Sequence, residues 1–168
     1  MMYESTVPQC MNMLRALKTF LAKGAAAAET KKFDFDVLLN ARLAPDQFPL
    51  IRQVQIATDT AKIGVSRLTG KDALTHDDKE KTLPELNQRI DEVIGYLSSI
   101  TAKDFEGAEQ KKITTPRWEA KWLAGADYVN QYLLPNLYFH VTTAYSILRH
   151  NGVDVGKKDY LGEISFKK

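Results

Sequence analysis

"LPNLYFHVTTAYSILRHNG", residues 134–152, is the stretch whose periodicity decides the fold. Projected at 100° per residue with the positions just before it, Val129, Leu133, Asn136, His140, Ala144 and Ile147 share one stripe about 80° wide. Apolar side chains at three- and four-residue spacing mark an amphipathic helix with one buried face. The helix is expected to begin near Ala126 and to stop at Gly152, a natural left-handed terminus. Pro135 lies inside it and predicts a kink, unless the helix begins later. Asn136 and His140 are the two polar members of the stripe, stacked one turn apart.

Three more segments have the same period. The first runs from about Tyr3 to Ala28, with Val7, Cys10, Met11, Leu14, Leu17 and Leu21 on one face, and Gly24 with the alanines after it predicts a fraying end. Pro45 and Pro49 suit the first turn of the second helix. Its stripe is Leu50, Val54, Ala57, Ala61, Val65 and Leu68, and it stops at Gly70. "GKDALTHDDKEK" reads as a polar loop, with His76 in water. Thr82 and Glu85 in "TLPE" form a capping box ahead of the third helix, which buries Leu86, Ile90, Ile94 and Leu97. The stretch 101–125 breaks the pattern and predicts a short hairpin or irregular excursion containing Trp118 and Trp122. The tail after Gly152 reads as an extended cover strip. Four such helices make an all-α four-helix bundle, and residues 1–168 read as a single domain.

Composition narrows the function. Among 168 residues, 44% are hydrophobic and 26% charged, as in ordinary soluble globular proteins. Twenty-three basic and 21 acidic residues leave a net charge of +2 with no basic block, so no nucleic-acid footprint is read. The single cysteine, Cys10, rules out an internal disulfide and a multi-cysteine zinc site. No signal peptide and no membrane span are read, so the expected location is the cytoplasm.

The polar spot on the fourth helix has a bland reading and a sharp one. A histidine in a bundle core is more often a hydrogen-bonded packing residue, with Asn136 as a ready partner. The i, i+4 spacing of Asn136 and His140 is also that of two metal ligands on one helix. A metal site needs about three ligands, however, and the other histidines do not help. His150 lies roughly 15 Å along the axis from His140. On the second helix Gln53 leans toward the apolar stripe more than Gln55 does, and would complete an uncharged Gln, Asn and His cluster. Such a cluster orients a small polar molecule or a water by hydrogen bonds. A Cys10–His140 catalytic pair is the weaker alternative. Tyr138 and Tyr145 project away from the stripe, and predict that this face is covered by the tail or by a second subunit.

"APDQFPLIRQVQIATDTAK" and "LPNLYFHVTTAYSILRHNGVDVGKKDYLG" carry a resemblance over almost the whole chain. They are similar to a bacterial family catalogued as a domain of unknown function, within the DinB/YfiT-like superfamily of metal-dependent enzymes. The resemblance implies a four-helix bundle of up-down-down-up connectivity, often a homodimer. It also implies a divalent metal such as nickel or zinc held by three histidines, one on the second helix and two, at i and i+4, on the fourth. Relatives include thiol-dependent transferases that use bacillithiol or mycothiol, and maleylpyruvate isomerases. By position His140 matches the second histidine of the fourth-helix pair, Asn136 replaces the first, and Gln53 or Gln55 replaces the one on the second helix. Two of three ligands depart from the pattern. The expectation is a bundle without the metal triad, in which Gln53, Asn136 and His140 bind a small polar ligand and any residual metal contact falls to His140. A divalent-metal-dependent transferase or hydrolase and a structural or interaction protein are the alternatives.

Overall fold

The computed structural model describes residues 2–167. Four long helices form the bundle: α1 (Met2–Lys31), α3 (Leu50–Thr69), α4 (Leu83–Ser98) and α6 (Leu134–His150). The short α2 (Asp36–Leu39), α5 (Gly125–Tyr128) and α7 (Lys157–Leu161) are satellites. The apolar stripes meet in one connected cluster that includes Leu14, Leu17, Val54, Ala61, Leu86, Ile90, Leu137 and Ile147.

Cross-helix pairs give the directions. Gln53 meets His140 and Thr60 meets Asn136, so α3 and α6 are antiparallel. Arg89 meets Thr58 while Tyr96 reaches Lys71, so α4 runs parallel to α3. Lys18 meets Asp91 and Ser98 approaches Met11, which sets α1 antiparallel to α4. Phe20 packs on Tyr145, and a side chain at Gly24 would meet Leu148, so α1 and α6 are parallel. The order is up-down-down-up.

A parallel α3–α4 pair has a cost. The chain must return along the length of α3, about 30 Å, before α4 can start. Residues 70–82 therefore form an extended strap, and it is pinned by charges rather than left in water. Arg89, 1% exposed on α4, donates to Asp78 and Glu80 of the strap and to Thr58, the Gln55 carbonyl and Asp59 of α3, at 2.7–3.1 Å. Lys62, also buried, bonds Asp59 at 2.9 Å and touches His76 Nδ1. His76, expected in water, is 10% exposed and pairs through Nε2 with Glu92. Gln55 is likewise buried, but it faces Glu80 of the strap rather than the bundle core.

Other expectations are met or corrected locally. The capping box on α4 is present, with Glu85 N–H donating to Thr82 Oγ1 and Glu85 Oε2 accepting from Thr82 N–H. Val93 is buried there, whereas Ile94 is half-buried. Pro49 caps α3, and Pro45 lies outside it in the connector. α1 does not fray at Gly24: the alanines are strong helix formers and Ala28 packs in the core. The tail is not wholly extended, because α7 folds back so that Tyr160 stacks near Phe20 and Tyr145. The tail is thus what covers Tyr145. The excursion is a two-stranded hairpin, β1 (Lys112–Ile113) against β2 (Leu123–Ala124). It is locked onto α5 where a Cβ at Gly125 would sit 1.8 Å from the Ala108 carbonyl oxygen.

Pro135 is accommodated by a widened turn, and α6 itself begins only at Leu134. The proline ring would collide with the carbonyl four residues back, and it offers no N–H. The chain widens into a π turn over Val129–Leu133, with Leu134 N–H donating to Val129 O five residues back, and α6 then starts with Pro135 in its first turn. In an α-helix each step of four residues overshoots a full turn by about 40°. The wide turn takes back part of that drift, so Tyr128, Tyr132, Asn136 and His140 all face the same cleft.

Candidate functional site

The cleft lies between α3 and the π turn–α6 segment, with a volume of about 470 Å³. Its two long walls come from residues three and four apart on antiparallel helices. Arg52, Ile56, Thr60, Gly64 and Arg67 of α3 face Tyr128, Tyr132, Asn136 and His140. Gly64 lets the walls close, since a Cβ there would meet Leu133 Cδ1 at 2.4 Å. Thr115 and Arg117 of the excursion seal one end, and Phe48 of the α2–α3 connector flanks the other.

His140 is 9% exposed, and its Nδ1 lies 2.7 Å from Gln53 Oε1. Gln53 Nε2 donates to the Phe48 carbonyl at 2.9 Å, which fixes the amide orientation. Oε1 must therefore accept, and Nδ1 carries the ring proton. Burial first, and then the Arg52 guanidinium, push the His140 pKa down to about 4. The imidazole is neutral at pH 7, and its Nε2 is a hydrogen-bond acceptor with no protein partner among the described residues.

The three residues singled out by sequence thus divide. His140 and Asn136 line the cleft, while Gln53 stands behind His140 as its support. Asn136 does not pair with His140. It is half-buried, and its Nδ2 donates across the cleft to Thr60 Oγ1 at 3.1 Å. It sits at the edge of the buried face of α6, on the side that meets α3. Cys10 plays no part: it is fully buried on α1, and desolvation pushes its thiol up to about 12, where it stays protonated.

These donors do not fit a divalent ion. Gln53 Oε1 is taken by the His140 ring, Asn136 is a neutral amide committed to Thr60, and Arg52 places a positive charge beside the imidazole. Among the described residues no three His, Cys, Asp or Glu side chains gather where an ion could sit.

Arg52, Arg67 and Arg117 were not singled out by sequence. Arg52 pairs with Asp78 of the strap and lies 6.0 Å from the Phe48 ring centre. Arg67 donates to the Tyr128 hydroxyl at 3.2 Å. Tyr128 and Tyr132 stack at 5.6 Å, and Trp118 meets Tyr132 edge-on at 5.1 Å, so the excursion tryptophan buttresses the tyrosine wall. Trp122 is instead half-exposed, with Lys112 over its ring. The sequence signal for this end was the i, i+4 run of Tyr128, Tyr132, Asn136 and His140, which is in line only once the π turn is included.

An up-down-down-up bundle whose polar cleft joins the second and fourth long helices is a DinB-like protein. The sequence family described as a domain of unknown function, DUF1993, matches residues 2–161, and the chain belongs to it. Among solved structures it is similar to a DinB family member protein from Shewanella denitrificans. The identity is 56% over 100% of this chain and 96% of that one, with a TM-score of 0.96. A comparison with curated proteins finds no match.

Proposed function

We propose that the chain binds a small polar molecule in the α3–α6 cleft, with His140 as its anchor and without a metal. The observation that carries this is the Gln53–His140 bond, which holds the ring in one tautomer and leaves Nε2 free to accept from a ligand hydroxyl or amide. Phe48 and Phe139, each more than half exposed beside His140, would cover the apolar body of such a ligand. With a pKa of about 4, His140 is an acceptor rather than a proton shuttle at neutral pH. Homodimerisation and a cytoplasmic location belong to the same reading. No helix among the described residues is long and apolar enough to cross a membrane.

Benzyl alcohol and acetanilide, which join a hydrogen-bond donor to an aromatic body, are suitable probes. Titrated into ¹⁵N-labelled protein, they are expected to shift amide signals around Phe48, Thr60, Asn136 and His140. The double variant His140→Leu/Gln53→Leu removes both partners of the 2.7 Å bond together, so that neither is left facing an apolar side chain, and frees only the Phe48 carbonyl at the cleft mouth. It should weaken probe binding about tenfold, equivalent to ~1.4 kcal/mol. Shifts that cluster elsewhere, or a variant that binds as tightly, would refute the assignment.

A further inference from the structure

The far end of the cleft, ~18 Å along the helix from His140, is built from different chemistry. Arg67 and Arg117 line it, and neither has a carboxylate partner among the described residues; Arg67 donates instead to the Tyr128 hydroxyl. Asp59, the carboxylate of the cleft, is already bonded to Arg89 and Lys62. Thr115, on the same wall, is 7% exposed, and its Oγ1 is buried without a hydrogen-bond partner. A buried hydroxyl left unbonded costs stability, and an unpaired guanidinium beside an aromatic wall is a ready fork for an oxyanion. Thr115 and Arg117 are carried by a strained segment. Glu119 and Ala120, two consecutive residues with a Cβ, have φ of 46° and 70°.

We propose that Arg67, Arg117 and Thr115 form a subsite for the oxyanion, carboxylate or phosphate, of a small organic ligand. The two guanidinium groups supply charge-assisted hydrogen bonds, and the Thr115 hydroxyl gains the partner it lacks in the free protein. Tyr132 faces the body of the ligand. The subsite rests on the reading of the cleft as a ligand site, and adds to it the charge of the ligand and the end at which that charge sits.

Benzoate, phenyl phosphate and the neutral benzamide separate the alternatives, with affinities measured by NMR titration at low and high salt. Benzoate or phenyl phosphate should bind at least tenfold more tightly than benzamide, with an affinity that falls as salt rises. Which of the two is preferred decides between carboxylate and phosphate. Arg67→Gln with Arg117→Gln should abolish the preference, bringing benzoate and phenyl phosphate down to the affinity of benzamide. Thr115→Val is the second variant. It should raise the melting temperature, because an unbonded buried hydroxyl is removed, and yet lower oxyanion affinity; a hydroxyl that only packs would not link those two effects. Benzamide binding as tightly as benzoate, or undiminished oxyanion affinity in the arginine variant, overturns the subsite alone. Absence of any signal shift across the cleft overturns the subsite and the ligand-site reading together.

Discussion

Arg89→Met is expected to lower the free energy of unfolding by about 3–5 kcal/mol, the usual cost of removing one partner from a buried ion network. The guanidinium makes five hydrogen bonds to α3 and the strap, and methionine replaces its volume but none of those bonds. Asp78 and Glu80 would lose their shared cation, leaving the strap held by Arg52 on Asp78, Gln55 on Glu80 and the His76 contacts. Burial alone would raise both carboxyl groups. Hydrogen bonds from Arg52 and Arg89 to Asp78, and from the backbone, Arg89 and Gln55 to Glu80, outweigh it and hold both below the usual carboxylate range. Denaturant titration measures the stability loss, and limited proteolysis within residues 70–82 measures release of the strap. A loss under about 1 kcal/mol with the strap still protected would mean that the network contributes specificity rather than stability.

Stability should also fall by about 3 kcal/mol between pH 6.5 and pH 4 on account of His140 alone. In the unfolded chain the imidazole protonates near its ordinary value of 6.5, whereas in the folded protein burial and Arg52 hold it down to about 4. Between those values the unfolded state binds more protons, so stability rises with pH across the window and is lost on acidification. The strap carboxylates contribute in the same direction, but below pH 4.5, near and under their unfolded values. His140→Leu/Gln53→Leu should flatten the upper window and leave the lower one. An unchanged slope between pH 6.5 and 4.5 in that variant would mean that His140 titrates normally.

How far the chain could be read in advance depends on which forces hold each part. The bundle was legible because the stripes through Leu50–Leu68 and Val129–Ile147 need nothing beyond helical geometry. Gln53 and His140 were legible as inward polar groups for the same reason. Arg89 was hidden, although it sits between Leu86 and Ile90 on the apolar face. Its carboxylate partners lie in a strap whose sequence reads as solvent-exposed, and only the parallel α3–α4 pairing brings them together. Asn136 was misassigned as a partner of His140 because its amide bonds Thr60, and the stripe on one helix does not reveal which residue of a neighbouring helix lies opposite. Arg67, Arg117 and Thr115 come from segments far apart in the chain, and no spacing links them.

The cleft can anchor a ligand at His140 only with the ring neutral, protonated at Nδ1 and open at Nε2. A long-range ¹H–¹⁵N spectrum of the histidine rings, followed from pH 7.5 to 4, reads that state directly. The expected result is a ring with an Nδ1 proton and an unprotonated Nε2 that stays neutral down to about pH 4, and whose Nε2 signal moves when benzyl alcohol is added. A ring that titrates near 6.5, carries its proton on Nε2, or does not respond to the alcohol would contradict the account.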